Sequence, residues 1–115
     1  MSTIIRKQTL QRFRRQAPLF AALGDEVRLT LLTRLSESRE LSITELSAGS
    51  AITRQAITKH LRVLETTGLV RSVRRGRESL FQLQPKPLQE ATDSLRLISQ
   101  QWDAALQRLK KFVEE

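Results

Sequence analysis

The stretch TRQAITKHLRVLETTGLV, residues 53–70, brings Arg54, Gln55, Thr58, Lys59 and Arg62 close together. These are side-chain types that read base pairs. Arg forks onto the O6 and N7 of guanine, Gln forks onto adenine, and Thr bonds either base and meets the thymine methyl. The run opens on Thr53, a hydroxyl residue suited to capping a helix, and stops at Gly68. On such a helix Ala56, Ile57, Leu61 and Leu64 turn inward. Thr53, Arg54, Gln55, Thr58 and Lys59 then lie opposite that stripe or at the exposed N-terminal end. Arg54, Gln55 and Thr58 are the expected base readers. Thr53, Lys59 and Arg62 are expected to hold phosphates, contacts that orient a protein on a duplex without specifying its sequence.

Between Thr53 and Arg77 stand seven basic residues and one acid, Glu65, a net of +6 in a chain whose net charge is +8. A solvated helix face usually mixes signs, because opposite charges four residues apart support the helix. This segment does not mix them, and its mutual repulsion costs stability unless an anion neutralises it. Duplex phosphate fits, since Lys and Arg bind it by releasing counterions. Single strands and RNA fit less well. There is no Tyr, and the four Phe and one Trp are scattered over apolar-face positions, leaving no stacking platform.

Immediately downstream, LVRSVRRGRESLFQL is rich in β-formers on both sides of Arg75-Gly76. It is basic at its tip and apolar at Val73, Phe81 and Leu83, the pattern of a two-stranded hairpin. Arg74, Arg75 and Arg77 at that tip are expected to reach flanking backbone or the minor groove. For each of them the plain alternative is a solvated surface charge.

The elements that carry these residues follow from periodicity and caps. Residues 4–16 read as a helix with Leu10, Phe13, Ala17 and Phe20 three and four apart; Pro18 should kink or restart it, and Gly24 end it. Asp25 caps a second helix striped by Val27, Leu31, Leu32 and Leu35. After a short ELSI stretch, Ser42 and Glu45 form a capping box for a brief third helix, ITELSAG. That helix, a turn and the Thr53 helix make a helix-turn-helix, and the hairpin after it makes the winged form. The fold expected is mainly α with a small β-hairpin, a winged helix-turn-helix with long N- and C-terminal dimerisation helices. It forms a single domain over 1–115, with a core at 17–84 flanked by helices at 1–16 and 85–113.

Near the C-terminus Leu88, Ala91, Leu95, Ile98, Trp102, Ala105, Leu109 and Phe112 alternate steps of three and four, a heptad seam. A helix of that reach is about 42 Å long at 1.5 Å per residue, too long for a domain this small to cover. Its excess should bury against a second copy. The expected dimer interface comprises Leu10, Phe13, Phe20, Leu95, Ile98, Trp102, Leu109 and Phe112. Two recognition helices would then stand about 34 Å apart, one turn of DNA.

Composition excludes much else. With 115 residues and no Cys, there is no disulfide, thiolate metal site or cysteine nucleophile. One His, no Gly-rich phosphate loop and no clustered carboxylates leave no nucleophile–base pair, so no enzyme is expected. The longest uncharged run, QAPLFAALG, is nine residues, far below the roughly 20 of a membrane span. Residues 1–16 hold no apolar run like that of a secretory signal. A cytoplasmic protein without membrane contact is expected.

The runs LFAALGDEVRLTLLTRL, LSITELS, TRQAITKHLRVLETTGLV and RRGRESLFQL resemble the ArsR/SmtB family of winged-helix repressors over roughly residues 17–84. The resemblance implies a homodimer on an imperfect inverted repeat of double-stranded operator DNA, with the terminal helices as the dimer interface. Two departures stand out. The turn reads GSAIT, with Ala51 where the family often has Gly. The metal-ligating positions are also absent: the third helix has no thiol, and the terminal helix offers Glu90, Asp93 and Asp103 but no His. Transition metals prefer imidazole or thiolate, and His60, beside the core stripe, reads as structural. The chain therefore resembles a metal-independent branch, with no metal or cofactor and an unknown effector. Metal or small-molecule response on the same fold, and non-specific architectural DNA binding, are the alternatives.

Overall fold

The computed structural model describes residues 3–114. The chain runs through α1 (Thr3–Leu23), α2 (Glu26–Glu37), β1 (Leu41–Ser42), α3 (Ile43–Ser47), α4 (Arg54–Thr66), β2 (Val70–Arg75), β3 (Glu78–Leu83) and α5 (Pro85–Glu114). It is a mainly α winged helix-turn-helix with a small antiparallel sheet. The expected hairpin is present as β2 and β3, and β1 joins it on the far side of β3, giving the order β1-β3-β2.

Local chemistry fixes the helix starts. The Asp25 carboxylate accepts from Arg28 N at 3.0 Å, and Thr53 Oγ1 accepts from Ala56 N at 3.1 Å. At α3 the capping box closes both ways: Ser42 Oγ accepts from Glu45 N and Glu45 Oε1 accepts from Ser42 N, each at 3.1 Å. Arg34 on α2 closes the other end of α3, donating to the carbonyls of Leu46 at 2.6 Å and Glu45 at 2.8 Å. A five-residue helix is too short to persist alone, so these bonds from outside it hold the first half of the helix-turn-helix.

The end of α4 is set by Gly68 at φ +79°. Leu69 N bonds Leu64 O at 2.9 Å and Gly68 N bonds Glu65 O at 3.0 Å, the paired bonds of a Schellman motif. Leu69 then drops into the core, fully buried. At α1 the helix runs on through Pro18 without a restart and ends at Leu23, just before Gly24.

The core is where α2, α4 and the sheet converge. Leu31, Leu32 and Leu35 meet Ile57, Leu61 and Leu64, the last three each at 1% exposure or less. Burial of each stabilises by about 1.5–3 kcal/mol. Val70 and Phe81 close the core from the sheet. Leu19 and Ala22 of α1 and Ala91 of α5 cover it from the terminal side.

α5 is 30 residues long, about 45 Å at 1.5 Å per residue, in a molecule measuring 66 × 29 × 21 Å. Only its first third is covered. Ala91 and Ser94 are buried and Leu88 packs against the core, whereas Leu95, Leu109 and Phe112 are exposed and Trp102 is 66% exposed. Ser94, at 0% exposure, is satisfied from α1: Arg12 Nε donates to its Oγ at 2.8 Å, and that hydroxyl donates to Gln16 Oε1. Arg12 Nη2 also reaches Glu90 O at 3.2 Å. Of the other expected interface residues, Leu10 is exposed, Phe13 and Ile98 are half-buried, and Phe20 packs against this chain's own core.

Candidate nucleic-acid interface

The outer surface of α4 is organised by what its inner surface spends. With Ile57, Leu61 and Leu64 buried, Gln55, Lys59 and Arg62 centre on the opposite side. Thr53, Gln55, Thr58, Lys59 and Arg62 line one shallow concavity together with Ala56. Arg54 does not join them. Its Nη1 donates to Thr44 Oγ1 of α3 at 3.0 Å, and it lines a second hollow with Thr44, Arg77 and Ser79, between the helix-turn-helix and the hairpin.

Hydroxyl roles divide as well. Thr53 Oγ1 accepts in its cap, leaving its O–H free to donate. Thr58 Oγ1 donates to Arg54 O at 2.9 Å, so only its lone pairs and methyl remain for a ligand. Among the described residues, the side chains of Gln55, Lys59, Arg62, Arg74 and Arg77 have no hydrogen-bond or ion-pair partner within the chain. The one acid of the segment, Glu65, is turned to internal use: Ser72 Oγ donates to its Oε2 at 2.8 Å, joining α4 to β2.

Strand alternation sorts the wing arginines. Arg74 shares a sheet face with Ser72, the face toward α4, while Arg71 and Arg75 lie on the other. There Arg75 pairs with Glu40 at 3.0 Å, and Arg71 Nε donates to Gln82 Oε1 at 3.0 Å. The wing therefore does not present its expected residues as one group. Arg74 and Arg77 carry unpaired charge, and Arg75 is engaged.

Behind α4, Arg28 ties three helices. Its Nε donates to Ala22 O at 2.7 Å and its Nη2 to Ala21 O at 3.3 Å, closing the end of α1. Its Nη1 donates to His60 Nδ1 at 3.3 Å. An Arg has no acceptor, so Nδ1 accepts and its proton sits on Nε2. Asp25 Oδ1 lies 3.8 Å from the same nitrogen, beyond hydrogen-bond reach. The Arg28 backbone N–H, and then the Arg28 charge, hold the Asp25 carboxyl below the usual carboxylate range against an opposing desolvation. His60 is thus a hydrogen-bonded packing residue. Among the described residues, no three His, Cys, Asp or Glu side chains gather as a metal site would require.

A family model described as a helix-turn-helix domain matches residues 23–73. The chain is 45% identical over 76 residues to the uncharacterized HTH-type transcriptional regulator YuzN of Bacillus subtilis, covering 61% of this chain and 83% of that one. It is 32% identical over 75 residues to a transcriptional repressor SmtB homolog of Synechocystis, covering 65% of this chain and 56% of that one. An ArsR-like transcriptional regulator from Rhodococcus superposes with a TM-score of 0.74 at 36% identity, over 87% of this chain and 93% of that one. The chain belongs to the ArsR/SmtB family of winged helix-turn-helix DNA-binding transcriptional regulators.

In this ArsR/SmtB regulator the turn before α4 places its left-handed residue ahead of Ala51. No residue other than Gly has a positive φ among the described residues, so Ala51 sits in ordinary backbone; Gly49 takes the left-handed position, at φ +72°. The left-handed position of this turn thus lies two residues before Ala51, toward α3. Sequence reasoning missed Thr44, Glu40 and Gln82. Glu40 sits one residue beyond the Leu41–Phe81 pair, which brings it beside Gln82. A two-residue strand offers no periodicity from which that pairing can be read.

Proposed function

We propose that this ArsR/SmtB regulator is a homodimeric, sequence-specific repressor that binds an imperfect inverted repeat in double-stranded DNA. The observation that carries this reading is the unpaired set on the outside of α4 and the wing, Gln55, Lys59, Arg62, Arg74 and Arg77, beside a core that fixes the helix carrying three of them. Gln55 reads a base directly. Thr58, its hydroxyl proton already donated, accepts from an adenine or cytosine amine or meets a thymine methyl. Arg54 exchanges Thr44 for a base edge at the side of the groove next to the wing. Thr53, Lys59, Arg62, Arg74 and Arg77 hold phosphates.

Pairing of two subunits is supported by the uncovered end of α5, where Trp102, Leu109 and Phe112 stand exposed together with Leu10 of α1. Large apolar side chains left exposed at heptad spacing on one helix favour an interface. The chain is read as one domain over 1–115, non-enzymatic and cytoplasmic; no described helix is long and apolar enough to cross a membrane. Regulation without a transition metal is supported by the donor chemistry, with no Cys and a His60 already committed to Arg28.

Selection of bound duplexes from a random pool tests the reading. A palindromic consensus is expected; recovery without consensus would turn the reading into architectural DNA coating. A small-molecule-responsive variant is favoured by one feature, a cavity of about 500 Å³ between α2 and the turn after α3, walled by Val27, Leu31, Leu46 and Ile52 with Glu26 and Arg34 at its edge. Operator affinity unmoved by any compound that raises the melting temperature would remove that variant.

A further inference from the structure

Arg75 Nε lies 3.0 Å from Glu40 Oε1. The other oxygen of that carboxylate accepts from Gln82 Nε2 at 2.9 Å, and Gln82 Oε1 accepts from Arg71 Nε at 3.0 Å. The chain of bonds crosses the whole sheet, from the residue before β1 over β3 to β2. The Gln82 hydrogen bond first, and then the Arg75 charge, hold the Glu40 carboxyl below the usual carboxylate range. Its side chain is 22% exposed and that of Arg75 is 53% exposed, so a seated carboxylate meets a guanidinium that reaches in from solvent. Gln82 keeps Glu40 in place whether or not Arg75 is there. Arg75 is thus the partner free to leave.

A guanidinium binds carboxylate and phosphate through the same planar donors. We propose that Glu40 is an internal stand-in for DNA phosphate: Arg75 must leave it to reach a duplex backbone, and this exchange lowers affinity for every duplex. The inference rests on the DNA-binding reading above. It makes Glu40 a residue that sets the strength of duplex binding without touching DNA. Arg74 and Arg77 attract any polyanion, while Arg75 is held back, so the wing binds duplex backbone below its full cationic strength.

Glu40→Gln tests this, since glutamine keeps an oxygen for Gln82 and loses the charge. Affinities for the selected operator and for a scrambled duplex are measured by fluorescence anisotropy across a salt series, in the wild-type and Arg75→Gln backgrounds. With Arg75 present, E40Q is expected to tighten both duplexes roughly two- to fivefold, the range of an exposed ion pair. The log–log salt slope should steepen by about one unit. In the Arg75→Gln background that gain should vanish. An equal gain in both backgrounds would reduce Glu40 to a generic anion near DNA. No gain, or a loss, would make the pair a brace of the wing and overturn the proposal. Melting curves check the fold. If E40Q does not fold, Arg75→Gln alone must weaken operator binding less than Arg74→Gln does, and an equal or larger loss overturns the proposal. Wild-type protein that ignores all duplexes sinks the DNA reading and this inference together, whereas wild-type binding that E40Q leaves unchanged sinks this inference alone.

Discussion

Arg28 on α2 and His60 on α4 share one hydrogen bond, Nη1 to Nδ1 at 3.3 Å, while the same guanidinium closes the end of α1 on the carbonyl of Ala22 at 2.7 Å. The α4 helix is therefore fastened, on its protected side, to the residue that joins the first two helices. Arg28→Ala should destabilise the fold by roughly 1–3 kcal/mol, since it leaves the carbonyl and the imidazole without their donor. Denaturant midpoints would measure it. A change within experimental error would mean water replaces the guanidinium without cost.

Gln55→Ala should reduce discrimination at one or two base pairs by roughly 1–3 kcal/mol while leaving non-specific affinity nearly unchanged. Competition binding with single-site operator variants reads this out. A uniform loss on every sequence would assign Gln55 to the backbone.

Local and tertiary contacts differ in how legible they are in the sequence. The caps at Asp25, Ser42 and Thr53 and the stop at Gly68 are legible because each uses bonds between residues a few positions apart. The contacts of Arg54 and Arg75 are not legible for the opposite reason. Their partners, Thr44 and Glu40, are brought near by tertiary packing, and a charge count treats an engaged arginine like a free one. The division of the α5 seam is hidden in the same way. Its spacing is right, but period alone cannot tell that Leu88 and Ala91 meet their own chain while Leu95 meets solvent. Ser94, a polar residue, is the most deeply buried of that helix because Arg12 and Gln16 come from the other end of the sequence.

Trp102→Ala should weaken subunit association by about 2 kcal/mol or more, as for a central aromatic anchor, and change the stability of the isolated subunit by no more than about 0.5 kcal/mol. Sedimentation equilibrium over a concentration series distinguishes the two. An intact dimer would move the contact elsewhere on α5.

Gly49→Ala places a Cβ at φ +72°, where space is open but the backbone is disfavoured, and should cost about 1–2 kcal/mol. Ala51→Gly, in ordinary backbone, should lose rather than gain stability through greater freedom of the unfolded chain. Thermal melts of the pair check this; the reverse order would mean the turn is built on residue 51 after all.

Acid should unfold the protein in part through two carboxylates. Asp25 and Glu40 are both held below their ordinary values in the fold. Their contribution is therefore complete above the unfolded values near about 4 and is lost as pH falls through the depressed folded ones. Asp25→Asn preserves a good helix cap and removes the titration. Its stability deficit in urea melts should be largest near neutrality and shrink toward pH 2, and a deficit independent of pH would deny Asp25 this part.

The only indole of the molecule stands two-thirds open to water on the free stretch of α5, and there is no Tyr to compete with it. Excited at wavelengths that nucleotides do not absorb, it is a label the chain already carries. Whatever comes to lie over that stretch will shift its emission to the blue, and events at the opposite, cationic end leave it dark to them. Two optical channels, one intrinsic and one on a tagged oligonucleotide, can thus follow association at each end of this molecule in a single cuvette.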